Sequence, residues 1–443
     1  MTSHPDIAIF SVNFPPEPTG VAPYAGALAA GLHERGYAVT AHVAQPHYPQ
    51  WAHYKGYGQW TRNDQVDGVA VHRHRHYVPH SPHGIRRLMS ELSFGIRLVL
   101  AGWESSRAVV VVSPALFASV LVVLRIRLSR HRPPFVAWIQ DLYALGMAET
   151  GEGIGAAGRL TRWVEAHTLR AADCVVVIHP RFARYAVREL GIDERKVKVV
   201  RNWAHLATVA PGDSAAAKAA LGWPTGVTLA VHTGNLGVKQ GLENVVDAAR
   251  LADETGAPVH FFLVGDGCQR KKLTALARGI SRLTFVDPLS EADYPLALCA
   301  ADVLLVNEMP GVTAMAVPSK LTSYFHAGRP VIAATDPGGV CAEEIAAADG
   351  GTVVRAGEPR ALLDAVLEIG SDAAAAARFG ANGQRYRQVV LDERGAMQQW
   401  STVIEEVLAQ SPSRAQRSPR AAAAMIIGGL VAMSRFSHHP PAS

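Results

Sequence analysis

Short apolar runs alternate with amphipathic stretches twice over, with one interruption, and this pattern constrains the 443-residue chain more than any other feature. A strand-like run at 7–12 passes through a proline-rich loop into a helical stretch at 21–35, ended by Gly36, and then into a second run at 38–43. Such a β-α-β beginning implies a parallel sheet, because a crossover helix is what lets neighbouring strands run the same way. Strands follow at 108–112, 135–139, 174–178 and 197–200, with helices at 116–129, 159–171 and 181–190. From 202 to 224 the pattern lapses into Ala, Pro, Gly, Asp and Ser, which reads as a linker. A second series then places strands at 227–232, 259–264, 283–286, 303–306, 331–334 and 352–354, with helices between them and a last helix at 384–408. The expected fold class is α/β, two doubly wound Rossmann-like domains facing each other across a cleft. Their bounds are 1–203 and 204–383, with 384–410 crossing back to the first domain and 411–443 an expected disordered tail. The apolar stretch 421–433 in that tail is shorter than the ~20 residues of a bilayer span, and an interfacial segment is its alternative reading.

With 49% hydrophobic and 18% charged residues, the chain can fill two cores and is neither disordered nor fibrous. Cys174, Cys268, Cys299 and Cys341 lie far apart, without a C-x-x-C pair or zinc-ligand spacing, and read as reduced core thiols. Residues 1–6 lack the profile of an export signal, so a cytosolic location is expected. The net charge of +5 is lopsided: ten arginines lie between Ala70 and Phe135, against only Glu91 and Glu104. If the helices at 92–103 and 116–129 expose their apolar faces beside these arginines, the first domain would rest on an anionic membrane. A plain buried β-α unit is the other reading, and nucleic acid is not an expected partner.

Open parallel sheets bind ligands beyond the carboxyl ends of their strands, where loops and helix N-termini converge. After the first strand comes N-F-P-P-E-P-T-G (13–20), in which Gly20 permits close approach and Thr19 offers a hydroxyl or a helix cap. In the second domain a strand runs into T-G-N-L-G-V-K-Q-G (233–241), where Gly234, Asn235, Gly237 and Lys239 supply N–H donors, backbone room and positive charge for a diphosphate. Pro318, Ser319 and Lys320 open another helix, with Ser319 as the expected cap and Lys320 as a second cation. Gly265-Asp266-Gly267 fails as a dinucleotide fingerprint because position 270 is Arg, so it should instead frame the nucleotide pocket with 286–289. That failure also removes a Rossmann oxidoreductase from consideration. Asp141 ends a first-domain strand and should face the cleft, either to orient or deprotonate an acceptor hydroxyl or as a structural cap. His72, His74 and His76 would share one face of a strand, but three ligands on a flat strand cannot easily surround an ion. No D-x-D occurs, and neither a metal nor a cofactor is expected.

With these loops in place the chain resembles glycosyltransferase family 4, retaining enzymes of GT-B fold, and within it the colanic acid synthesis type. The resemblance rests on 13–26, H-Y-P-Q-W (47–51), W-I-Q-D (138–141), Asn202-Trp203, G-N-L-G-V-K-Q-G-L-E-N (234–244) and P-S-K-L-T (318–322), and it extends to about Leu408. It implies transfer of a sugar, fucose among the candidates, from a GDP- or UDP-linked donor to a lipid-linked saccharide at the inner membrane face, for exopolysaccharide or capsule. Lys239 would contact the donor diphosphate, Asn235 stands where many relatives have arginine, and Gly20 would lie beside the transferred sugar. The family's paired glutamates align with Met315 and Ser323, so both are missing, and Glu308 is the nearest substitute. A non-catalytic nucleotide-sugar-binding or scaffold protein of the same fold is the alternative that this loss suggests.

Overall fold

Continuous apolar runs can be strands only if both faces of the sheet are covered, and helices do cover them: β1 (Ile7–Ser11), α1 (Ala22–Glu34), β2 (Val39–Ala44), β3 (Thr61–Val66), β4 (Val69–His74), α2 (Gly84–Leu100), β5 (Ala108–Val112), α3 (Leu116–Leu128), β6 (Phe135–Ile139), α4 (Tyr143–Glu149), α5 (Ala156–Arg170), β7 (Cys174–Val177), α6 (Pro180–Arg188) and β8 (Val197–Val199). A second lobe follows, with α7 (Ser214–Leu221), β9 (Thr228–Thr233), α8 (Glu243–Thr255), β10 (Val259–Val264), α9 (Arg270–Leu276), β11 (Leu283–Val286), α10 (Asp293–Ala300), β12 (Val303–Asn307), α11 (Ser319–Ala327), β13 (Val331–Thr335), α12 (Val340–Ala348), β14 (Gly351–Arg355), α13 (Pro359–Ser371) and α14 (Ala373–Val390). A last helix is α15 (Glu393–Ala409). This computed structural model describes residues 6–409 apart from 19, 82–83, 104–105, 130, 150–154, 204–212, 291 and 313–318, so the expected tail lies outside the described residues.

The sheets run β3-β4-β2-β1-β5-β6-β7-β8 and β11-β10-β9-β12-β13-β14. All pairs are parallel except the edge hairpin β3–β4. Strand order reverses beside β1 in one sheet and beside β9 in the other, the switch points where such sheets open a crevice. The loops that leave β1 and β9 are the two read above as chemistry-bearing.

Several local expectations need correction. The supposed linker contains α7, whose Asp213 accepts from the Ala215 N–H at 2.9 Å and whose end is closed by left-handed Gly222. Alanines there supply helix propensity, which outweighs their neighbours' irregular composition. The single helix expected at 384–408 is two, broken at Leu391-Asp392. Of the four thiols, Cys268 is exposed rather than in a core.

The arginine excess is also partly internal. Arg73 is buried, with its Nε 2.5 Å from Asp64 and its Nη2 donating to Pro15 O at 2.6 Å. Arg125 donates to carbonyls at the end of α2 and just past it, Leu98 at 3.0 Å and Ala101 at 2.6 Å, and lies over the Trp103 ring. Arg97 donates to Trp60 O at 2.8 Å and stacks on the Trp60 ring.

α15 packs on the first lobe. Met397, Trp400, Val403, Ile404 and Val407 belong to its core, and Trp400 meets Trp138 edge to face at 5.0 Å. Gly31 of α1 lets α15 this close, since a Cβ there would stand 2.5 Å from the Met397 sulfur. The lobes are also joined by a buried polar knot. Glu344 at α12 accepts from His179 Nε2 at 3.0 Å, from Arg201 and from Tyr386 Oη at 3.3 Å. Arg201 and Tyr386 lie next to the two places where the chain passes between lobes.

Candidate active site

The first-lobe side of the cleft starts from the loop after β1. Gly20 has a φ of +68°, and its open Cα faces the Tyr48 ring, 3.5 Å from where a Cβ would be. Thr19 lies outside the described residues, and α1 begins at Ala22 without a side-chain cap. Glu17, which the sequence reading passed over, organises this loop. Its buried carboxylate accepts from the His47 and Tyr48 N–H groups, each at 2.8 Å, and from Asn13 Nδ2 at 2.8 Å. Glu17 thus ties the first loop to H-Y-P-Q-W, two stretches 30 residues apart in sequence. A carboxylate set between prolines in a loop was the available signal.

Asp141 follows β6, partly buried, at the end of a narrow cavity that Ser113, Tyr143 and Glu165 also line. Burial raises its carboxyl to about 6, against the opposing pull of the Lys239 ammonium and the Arg87 guanidinium. Lys239 belongs to the other lobe, so its charge reaches Asp141 from across the cleft. Behind Asp141, Glu165 accepts from the Tyr143 N–H at 2.7 Å and the Ala144 N–H at 3.1 Å, and burial raises it to about 7. Gln140 and Asn202 exchange amide bonds at 3.1 and 2.7 Å, which accounts for two of the matched stretches.

On the second-lobe side, Gly234 to Gly241 leaves β9 and passes through a short 3-10 turn, Val238–Gln240, that carries Lys239 on an exposed shoulder. The turn is held through its backbone: Asn307 Nδ2 donates to Gln240 O at 2.7 Å and Gly241 O at 2.8 Å, and Met309 N donates to Lys239 O at 2.8 Å. Asn307 was also not foreseen. Asn235 is exposed beside Gly237.

Gly265-Asp266-Gly267 packs on this loop backbone to backbone. A Cβ on Gly265 would stand 2.0 Å from Gly234 O, and one on Gly267 2.6 Å from Leu236 O. Leu236 N donates to Asp266 O at 2.9 Å, and the Asp266 side chain, exposed, accepts from Gly267 N at 2.8 Å. Arg270, the residue that breaks the fingerprint, instead ties the turn to Val286 O at 3.2 Å and Asp287 at 3.1 Å.

Lys320 lies in the first turn of α11, its Nζ 3.3 Å from His232 Nε2, and burial lowers its ammonium to about 8. Ser319 is the first residue of α11, and Pro318 and Met315 lie outside the described residues. Ser323 is buried in α11. Glu308 accepts from Thr335 Oγ1, and its charge reaches Lys320. His72 and His74 go to local partners: His72 Nδ1 is 2.7 Å from Asn63 Oδ1, and His74 Nε2 is 3.3 Å from His42 Nδ1.

A cleft with a carboxyl on one wall, cations on the other and glycine-lined helix starts can hold a diphosphate next to a hydroxyl acceptor. Comparison with known proteins agrees with this geometry. Residues 19–203 match the family model described as "Glycosyl transferase 4-like domain", and residues 228–372 match "Glycosyl transferases group 1". The chain is 32% identical over 338 residues to WcaI of Escherichia coli (strain K12), a glycosyl transferase assigned to colanic acid biosynthesis, covering 73% of this chain and 81% of that one. It is 31% identical to a D-inositol 3-phosphate glycosyltransferase of Nocardia farcinica over 57% of this chain and 56% of that one. Among solved structures, a sucrose-phosphate synthase from Thermosynechococcus elongatus superposes with a TM-score of 0.71 at 18% identity, covering 91% of this chain and 99% of that one. HepE of Anabaena, in complex with UDP, gives a TM-score of 0.68 at 16% identity, covering 90% and 100%.

Proposed function

This chain belongs to the glycosyltransferases of the 4-like and group 1 type, with two Rossmann-like domains in GT-B arrangement, and on that premise we propose that it is a retaining enzyme of exopolysaccharide or capsule synthesis. Its donor is a UDP- or GDP-linked sugar, fucose among the candidates, and its acceptor a lipid-linked saccharide. The observation that carries this reading is that the Lys239 charge of one lobe reaches the buried Asp141 carboxyl of the other. In retaining transfer the bond from sugar to diphosphate breaks while the acceptor hydroxyl approaches the same face, so the protein's task is to hold both and to stabilise the departing charge. Lys239 and the Lys320 ammonium receive the diphosphate, beside the glycine-lined 234–241 loop. Gly265 and Asp266 frame the nucleotide, and Gly20 admits the sugar. Asp141, raised toward neutrality, accepts a hydrogen bond from the acceptor hydroxyl and is suited to share its proton. WcaI is named for an exopolysaccharide pathway, and HepE was solved with UDP, which supports the substrate classes proposed here.

The enzyme works at the cytoplasmic face of the membrane. Among the described residues no helix is long and apolar enough to cross a bilayer. α2 leaves Ile85, Met89, Ile96 and Leu100 exposed along its length, Ile85 at 73% and Leu100 at 72%. Leu124 and Leu128 of the neighbouring α3 extend the strip, with Arg86 exposed beside it. Such a face suits an interfacial position beside anionic headgroups.

The test is transfer from UDP- and GDP-sugars to a lipid-linked saccharide, with the anomeric configuration of the product read by NMR. Inversion would sink the retaining reading, and nucleotide binding without transfer to any such acceptor would sink the acceptor class. The membrane reading predicts that Ile96→Glu with Leu100→Glu lowers co-sedimentation with anionic vesicles at least fivefold. Unchanged co-sedimentation would refute it.

A further inference from the structure

His232 belongs to none of the loops assigned above, yet it is completely buried near the end of β9, directly beneath the 234–241 loop. Its Nδ1 is 3.2 Å from Leu305 O. A carbonyl can only accept, so Nδ1 carries the proton and Nε2 carries a lone pair. That lone pair lies 3.3 Å from Lys320 Nζ, and an ammonium can only donate. The Leu305 carbonyl thus sets the tautomer, the Asn235 backbone also bonds to the ring, and the lysine faces the Nε2 lone pair.

The neighbouring helical turn is held to the same spot. Tyr324, four residues on in α11, accepts from the Thr233 N–H at 2.9 Å and donates to the same Leu305 O at 3.3 Å. Two strand ends and the first turns of α11 thus form one clamp. Among the described residues His232 is the side-chain partner of Lys320, which leaves two of the three ammonium N–H groups for oxygens of a ligand. The other titratable groups around Lys320 are Glu308, occupied by Thr335, and the buried thiol of Cys341. Tyr294, 3.3 Å from Thr233 Oγ1, borders Tyr324.

We propose that His232 is a positioning residue for the donor diphosphate: its neutral imidazole holds the Lys320 ammonium at the cleft, charged and aimed. This rests on the reading that Lys320 meets the donor. The imidazole acts through the lysine and does not touch the substrate. Its lone pair favours the charged lysine, so removing it lets the ammonium shed its proton more readily and also lets it swing.

The experiment measures donor KM, kcat and the alkaline limb of kcat/KM for the purified full chain with its saccharide acceptor. His232→Phe keeps a flat ring and deletes the acceptor, whereas His232→Gln offers an amide oxygen to the lysine. The expected result is a donor KM raised about tenfold in His232→Phe, with kcat changed less than about threefold. The alkaline limb should also move at least half a pH unit lower, and His232→Gln should restore the limb and most of the KM. A raised KM with the limb unmoved would mark a merely structural role and overturn the proposal, as would equal loss in both variants. If His232→Phe does not fold, His232→Leu, which also deletes the acceptor, takes its place beside His232→Gln, and the same shift of the limb decides. Lys320→Met separates the two levels: unchanged donor KM there would defeat the site reading itself, while a raised KM there with normal His232 variants would defeat only this proposal.

Discussion

The two walls of the cleft are built by opposite means. On the second-lobe wall the backbone makes the surface: a Cβ on Gly265 would strike Gly234 O and one on Gly267 would strike Leu236 O, and Asn307 pins the lysine turn through carbonyls. On the first-lobe wall buried side chains make it: Glu17 gathers two loops, Glu165 caps α4, and Gln140 grips Asn202. In the proposed site this backbone-set wall lies beside the diphosphate, a ligand part shared by many substrates. Side-chain ties can be exchanged one at a time, which suits the wall that meets the variable acceptor. On the proposed assignment, the diphosphate half of the reaction rests on glycines and the acceptor half on carboxylates.

Four substitutions and one acid titration can break that contrast, the substitutions running from the largest expected effect down. Lys239→Ala should lower transfer at least ~100-fold with melting little changed, because it removes cleft charge from an exposed shoulder. Appreciable residual activity would take the phosphate grip away from this turn. Gly265→Ala has both a φ of +135° and a backbone oxygen in its way, so denaturant melts should show a loss of about 3 kcal/mol. A benign alanine would mean that the wall is not set by close backbone packing.

Glu17→Gln places an amide N–H₂ among N–H donors and should cost ~2 kcal/mol, with transfer down about tenfold. Wild-type stability and rate in that variant would end the idea that side chains tie the first wall. Acid should act on the first lobe through its imidazoles. Burial lowers His42 to about 3 and His74 to about 4 from the ordinary 6.5. Below 6.5 the unfolded chain takes up protons that the folded one refuses, so stability falls as pH drops from 6.5 toward 4, by up to ~1.4 kcal/mol per pH unit for each imidazole. Fluorescence of the Trp138, Trp203 and Trp400 cluster should report this loss, and a flat profile over that range would contradict it. The smallest effect is expected from Asp141→Asn. The raised carboxyl shows that the fold favours its neutral form, so at pH 7.5 the amide should stabilise by about 1 kcal/mol while transfer drops. Destabilisation would contradict that charge balance.

The backbone-built wall was the more legible one. Glycines and a lysine at a strand-to-helix turn are visible in order along the sequence, and β9 runs into them as read. Asp141 could be placed because a residue just past a parallel strand must face the cleft. Glu17, His232 and Asn307 escaped because their roles consist of partners 30 to 88 residues away, which periodicity does not encode. α7 escaped because an alanine-rich amphipathic stretch between Pro and Gly looks like a linker, although Asp213 and Gly222 were its caps in plain view. The break at Leu391-Asp392 was hidden by continuous helical periodicity on both sides. The arginines misled in part because a count of charges does not tell a guanidinium capping α2 from one facing solvent.

α15 has one more consequence, which concerns the order of synthesis. The ribosome makes the first lobe first, yet the strip carrying Met397, Trp400 and Ile404 that seals it is made last. At ~5–20 residues per second, the intervening chain of roughly 190 residues leaves the nascent lobe with an open seam for about ten seconds or longer. During that interval Trp138 lacks its later neighbour, so the newborn protein depends on chaperones, or on speed, to keep that flank from sticking to others.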